Sequence, residues 1–194
     1  MSHRSLSLLF LLALGAFGLV APAPVDATVV LWSDVETLAE NADLILVGEL
    51  IANDSAERAA SFGIYTDYTF QVTSVLSGDV GETVIVRLPG GEDAGRSVVV
   101  AGVPSFEYGE TYLLVLHGIQ PQAYGESGDT PYYVPLGLSQ GVWTLESYGS
   151  EIEAVQRHTD VVFLDGAGQV VNVAPVESTP LSTLGARLAQ GAQR

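Results

Sequence analysis

The chain contains no cysteine and no lysine. Without cysteine there are no disulfides, thiolate metal sites or cysteine nucleophiles, and no lipid attachment through an N-terminal Cys. An exported protein of this kind rests on its apolar core alone, and the composition fits a bacterial-type export route rather than a disulfide-rich secretion. Seven arginines are the only fixed cations, set against 23 Asp and Glu, for a formal charge of −16. A surface so acidic repels phosphate backbones, which excludes nucleic acid as a partner and disfavours anionic membranes. Calcium or a basic protein partner is compatible with it.

Several motifs are also missing. There is no H-E-x-x-H, so zinc proteases of that class are excluded. No glycine-rich phosphate loop precedes a helix, since Pro89-Gly90-Gly91 joins strands. The acidic loop Gly91-Glu92-Asp93 lacks the alternation of an EF-hand. Strands and helices do not alternate, which speaks against a parallel α/β enzyme fold. No cofactor or metal is expected.

At the N-terminus, His3 and Arg4 precede an apolar run over residues 6–20. At about 15 residues the run has the length of a signal h-region and is short for a membrane span of about 20. The small residues before Ala27 place the expected cleavage there. Removing residues 1–27 deletes one Arg and one Asp, so the charge of the remainder is unchanged at −16. The expected organisation is a signal peptide over 1–27, export to the periplasm or beyond, and one domain over 28–194, large enough for a single core.

What remains is mainly β. The 21 glycines and 9 prolines fit a chain of many tight turns. Residues 33–36 read as a capping box with Ser33 as cap, opening a short helix to about residue 41. A strand over 43–51 is apolar on both faces at its start and carries Gly48, which predicts a bulge or bend. After a polar loop over 53–63, a strand over 64–76 alternates, with Ile64, Tyr68, Phe70, Val72 and Leu76 on the core face. Further strands are expected over 83–88, 97–101, 111–117, a pair at 132–136 and 142–145, and a hairpin at 161–164 and 169–173. Thr179-Pro180 opens a C-terminal helix with Leu181, Leu184 and Leu188 on one face. A bent strand followed by an alternating one suits a small closed or partly open antiparallel β-barrel, flanked by the two helices.

Gly137-Leu138-Ser139-Gln140-Gly141 matches the G-x-S-x-G elbow. Glu146, Glu151 or Glu153 and then His158 follow in hydrolase order. The elbow needs a helix after the serine, but here a strand follows, so a Gly-flanked hairpin turn is the preferred reading. A secreted serine hydrolase using Ser139 and His158 is the alternative. His117 ends an apolar strand and reads as structural, and His158 with Asp160 is too few ligands for zinc. Asp67 can pair across the sheet with Arg87 or Arg96. With no convergent catalytic set, the leading expectation is a non-enzymatic binding module. Its contacts would be Asp67 and the exposed aromatics Tyr65, Tyr124 and Trp143. A structural envelope protein is a further alternative.

The run Ala42-Asp-Leu-Ile-Leu-Val-Gly48, then Ile64-Tyr-Thr-Asp-Tyr-Thr-Phe70, Val84-Ile-Val-Arg-Leu-Pro-Gly-Gly91 and Gly137-Leu-Ser-Gln-Gly141 resembles a group of uncharacterised exported bacterial proteins. More distantly, the first strand, its tyrosine-rich partner and the turn at Gly78 resemble the netrin-like modules of metalloproteinase inhibitors. That resemblance implies an OB-like barrel and a secreted (metallo)protease as partner. In those modules an N-terminal Cys reaches the protease zinc, and this chain has none, so that inhibitory chemistry does not carry over.

Overall fold

The structure, a computed structural model, describes residues 27–58, 63–120 and 131–194. The expected signal segment before Ala27, and Tyr124, lie outside the described residues. The protein is mainly β, with thirteen strands and two α-helices among the described residues. No described helix is long and apolar enough to cross a membrane.

The chain enters through β1 (Thr28–Leu31) and a short helix α1 (Val35–Glu40). Asp34 caps α1, accepting the Thr37 N–H at 2.8 Å. The expected cap, Ser33, instead donates its N–H to the Gln140 side chain. A tertiary contact therefore moved the helix start by one residue.

Two 15-residue strands follow, β2 (Leu44–Arg58) and β3 (Gly63–Ser77). The polar loop expected over 53–63 is mostly ladder, pairing from Leu50↔Phe70 to Arg58↔Gly63. Composition misled there because this end of the hairpin is polar; Ser55 Oγ bonds Thr66 Oγ1 at 2.8 Å. Gly48 does sit at a register shift. A Cβ at that position would lie 3.1 Å from the Gln71 carbonyl oxygen, so glycine lets the strands approach. On β3, Gly48↔Val72 and Val47↔Ser74 leave Thr73 as an extra residue. One extra residue inverts the faces beyond it. Leu76, expected in the core, lies on the opposite side at 38% exposure, and is itself the unpaired residue of a second shift between Leu46↔Val75 and Ile45↔Ser77.

The main sheet runs β13 (Val176–Pro180), β10 (Glu151–Arg157), β9 (Val142–Tyr148), β7 (Thr111–Ile119), β2, β3, β4 (Thr83–Pro89), β8 (Tyr132–Pro135), and β8 also pairs with β7. Its pairings are antiparallel except β4 with β8, which meet in parallel at Val86↔Tyr133. A hairpin β5 (Gly91–Asp93) and β6 (Arg96–Val98) replaces the strand expected over 97–101. A small second sheet holds β1, β11 (Val161–Leu164) and β12 (Val170–Val171), with β1 parallel to β11. β11 and β12 form the expected terminal hairpin.

The expected pairing of 132–136 with 142–145 is absent. Both segments lie along the same edge of β7: Pro135 faces Leu116, and Val142 faces Leu114. The glycine-flanked motif between them is thus a jog and not a hairpin turn, and it passes the chain from one group of strands to the next.

The core has two compartments on either side of β2 and β7. Leu44, Leu46, Leu50, Leu114 and Leu116 pack with Phe70, Phe106 and Val86. Ile45, Leu113 and Val115 pack on the other side with Trp143, Leu38, Leu184 and Leu188. Burial on both faces explains why these strands read as continuous apolar runs. The second compartment is roofed by α1 and α2 (Leu181–Gly191). The helices touch closely at Gly191, where a Cβ would lie 2.5 Å from the Glu36 carbonyl oxygen. Arg187 donates two hydrogen bonds to the Glu36 carboxylate, at 2.7 and 2.8 Å.

Candidate functional site

Among the aromatics proposed as contacts, Tyr65 is half-buried, between Ala56 and Pro89 of neighbouring strands. Trp143 is not an exposed aromatic. At 4% exposure it belongs to the compartment beneath the helices, because β9 turns that face toward α1 and α2. Asp67 does pair with Arg87 across the β3–β4 ladder, through Arg87 Nε to Oδ1 at 2.6 Å and Nη2 to Oδ2 at 2.9 Å. Arg87 is only 6% exposed and its guanidinium lies 4.1 Å from the centre of the Tyr132 ring. A bidentate, stacked and largely desolvated arginine of this kind braces β3, β4 and β8. Arg96 is committed to Glu57.

Ser139 and His158, far apart in sequence, are hydrogen-bonded, with Ser139 Oγ 2.9 Å from His158 Nδ1. Two consecutive left-handed residues, Gly137 (φ 62°) and Leu138 (φ 57°), aim the serine inward before a single 3-10 turn over Leu138–Gly141. A leucine in that conformation costs about 1–2 kcal/mol. What holds it is a buried polar network. Gln140, 1% exposed, accepts from the Ser33 N–H at 2.8 Å and donates to the Leu31 carbonyl at 2.9 Å. Its side-chain amide thereby caps part of the free edge of β1 as a neighbouring strand would. Gln156 donates to the carbonyls of Ser139 and Gln140.

A serine nucleophile needs an imidazole whose second nitrogen is oriented by an acid. His158 Nε2 is buried with no hydrogen-bond partner. The three acids that follow Ser139 in sequence are placed elsewhere: Glu146 bonds Tyr148 and Arg157, Glu153 accepts from Ser178, and Glu151 is exposed. Burial pushes the His158 pKa below the ordinary histidine value, partly opposed by the charge of Glu177. The imidazole is therefore neutral at neutral pH, edge-on to Phe163 at 4.9 Å. Ser139 borders a cavity of about 220 Å³ with Ser105, Arg157 and Thr159, yet is itself only 3% exposed. No group of three or more metal-ligating side chains occurs among the described residues, and His117 is paired with Asp43 at 2.6 Å.

A second feature had no signal in the sequence. Beside α2 the sheet face is uncovered, leaving a groove of about 470 Å³ bordered by Val47, Leu76, Leu145, Ile152, Leu181 and Gly185, with the polar Ser74, Thr111 and Ser147 between them. Val47, Leu145 and Leu181 are the outer fringe of the core beneath the helices. Ile152 is 46% exposed. The groove continues past Ile152 and Leu181 to Glu151 and Pro180. Leu76 reaches it beyond the bulge at Thr73, which no local pattern announces.

No protein-family model matches the chain, and no curated protein is significantly similar to it.

Proposed function

We propose that this protein is an exported, non-enzymatic binding module built on an OB-like barrel, and that its ligand is a protein, a secreted (metallo)protease foremost. Support for the barrel comes from strand pairing that runs β7, β2, β3, β4, β8 and returns to β7. Five strands closing through a single parallel contact at Val86↔Tyr133 suit a partly open Greek-key barrel. Support for export comes from the N-terminal apolar run, and cleavage after Ala27 leaves every described strand intact, since β1 begins at Thr28.

The observation that carries the binding reading is the apolar groove beside α2. Soluble proteins rarely leave a contiguous apolar lane open unless something covers it. The test is chemical cross-linking of the purified mature chain in an extracellular fraction, comparing the wild type with Ile152→Glu. A protease or other protein recovered by the wild type and lost with Ile152→Glu is expected. Equal recovery by both would remove the groove from the function.

One observation favours a second reading, a secreted serine hydrolase: the Ser139–His158 hydrogen bond. A fluorophosphonate probe that labels the wild type and spares Ser139→Ala would establish it. We expect no labelling, because His158 lacks an orienting acid.

A further inference from the structure

We infer that the groove beside α2 receives an amphipathic helix whose apolar stripe is flanked by Lys or Arg, laid on the sheet as a third helix next to α2. The inference rests on the reading of the groove as a binding surface, and adds the class of partner.

What already covers this sheet face points to a helix. At Val47 the floor of the groove is paired on both sides, with Leu113 of β7 and Ser74 of β3, and offers no free backbone there. A helix satisfies its own backbone and needs only an apolar stripe. The same sheet face already accepts α1 and α2 through Ile45, Leu113, Val115 and Trp143.

Charge selects the flanks. The chain carries −16 and no lysine. The residues bordering the groove include no Arg. Glu151 lines one end. Glu49 is exposed two residues beyond Val47 on the same strand face, opposite Thr111, which also borders the groove. A second copy of this chain would bring like charge to like charge. A basic partner gains both steering and contact.

Gly185 supplies an independent sign. It sits inside α2, on the groove side, and a Cβ there would meet nothing within 4 Å. Glycine in a helix interior is unfavourable relative to alanine, and no close contact requires it here. Its effect is to keep the wall of the groove flat where an incoming helix would lie. Small residues let helices approach closely.

The probe is a synthetic 18-residue Leu/Lys peptide with one apolar face, measured by fluorescence anisotropy against the mature protein. Its comparisons are a scrambled peptide of equal charge and a Leu/Glu peptide of equal amphipathicity. Saturable binding of the Leu/Lys peptide is expected, at least tenfold tighter than either comparison and weakened by salt. Gly185→Leu should weaken it at least tenfold while leaving the melting temperature equal or higher, and Gly185→Ala should raise the melting temperature with a smaller loss of binding. Equal binding of the scrambled peptide, or binding unaffected by Gly185→Leu, overturns the proposal. So does tight binding of the Leu/Glu peptide, or a dimer in sedimentation that Ile152→Glu abolishes. If cross-linking still recovers a groove-dependent partner when the Leu/Lys peptide fails, the helix class falls and the binding reading stands. If cross-linking is indifferent to Ile152→Glu and peptide binding is indifferent to Gly185→Leu, both fall.

Discussion

Around Ser139, His158 Nε2 is the one buried side-chain polar atom without a hydrogen-bond partner among the described residues, whereas beside α2 a mostly aliphatic lane is left uncovered. The two regions are built from the same strands, β9 and β10, seen from different parts of their surface. One gathers serine, histidine and two glutamines, the residue types of an active site, and uses them to fasten a jog in the chain to β1. The other is lined by Val, Leu, Ile and Gly with Ser74, Thr111 and Ser147 among them, and is the more open surface. Chemistry-bearing residue types are a poor guide when their atoms are already bonded to one another. Uncovered apolar area is what the proposed binding reading rests on.

If the polar cluster is a fastening, its disruption should register in stability before anything else. Gln140→Leu leaves the Ser33 N–H and Leu31 carbonyl without their partner, and a loss of about 3 kcal/mol in urea unfolding is expected from buried groups left unbonded. A loss below about 1 kcal/mol would mean that water replaces the amide, and the cluster would be less closed than described.

The two glycines of α2 sharpen the same contrast. Gly191→Ala drives a Cβ to 2.5 Å from the Glu36 carbonyl oxygen, and overpacking of this kind costs about 2 kcal/mol. Gly185→Ala meets nothing and should stabilise by up to about 1 kcal/mol. Opposite signs in thermal melts are the expected outcome. Equal signs would show that the helix is not closed at one end and open at the other.

His158 should make the polar cluster sensitive to acid. Its folded pKa lies below the unfolded value of about 6.5. The unfolded chain then binds more protons, so stability is undiminished above about pH 6.5 and declines as pH falls below it, down to the folded value. His158→Gln should flatten that part of the stability profile. Identical slopes in wild type and variant would assign the acid sensitivity to other groups.

The smallest effect is expected at the exposed clamp between the helices. Arg187 holds the Glu36 pKa down to about 2. This contribution is present above the ordinary value of about 4.5 and is lost as pH falls through about 2. Because the pair is partly exposed, Arg187→Gln should cost about 0.5 kcal/mol at neutral pH and near nothing at pH 2. A loss unchanged between the two pH values would make the contact one of packing.

Much of the fold was legible because it depends on local pattern. The two-sided apolar start of β2 marks its burial between two compartments, Gly48 marks the register shift, and Leu184 and Leu188 mark the buried stripe of α2. Leu76 shows where legibility stops: period two is read along one strand, but the extra residue at Thr73 exists only relative to β2. The long hairpin was hidden because a ladder of Asn, Asp, Ser and Glu has the composition of a loop. The site was less legible than the fold. Ser139 and His158 were named together on the G-x-S-x-G motif and residue order alone, but their depth and the missing acid depend on where β10 lies. Trp143 was read as a surface aromatic because its strand gives no sign of the helices above it.

By itself the sequence determined composition and local geometry: a cysteine-free, acidic, mainly β chain with two short helices and its turns at glycine. These follow from side-chain chemistry and backbone sterics that act over a few residues. Tertiary structure alone decided that the G-x-S-x-G motif is a buried jog, that Leu76 changes face, and that α2 leaves part of the sheet bare. Those outcomes turn on which strands become neighbours, and contacts between distant segments, such as Gln140 with β1, outweigh what any short stretch prefers.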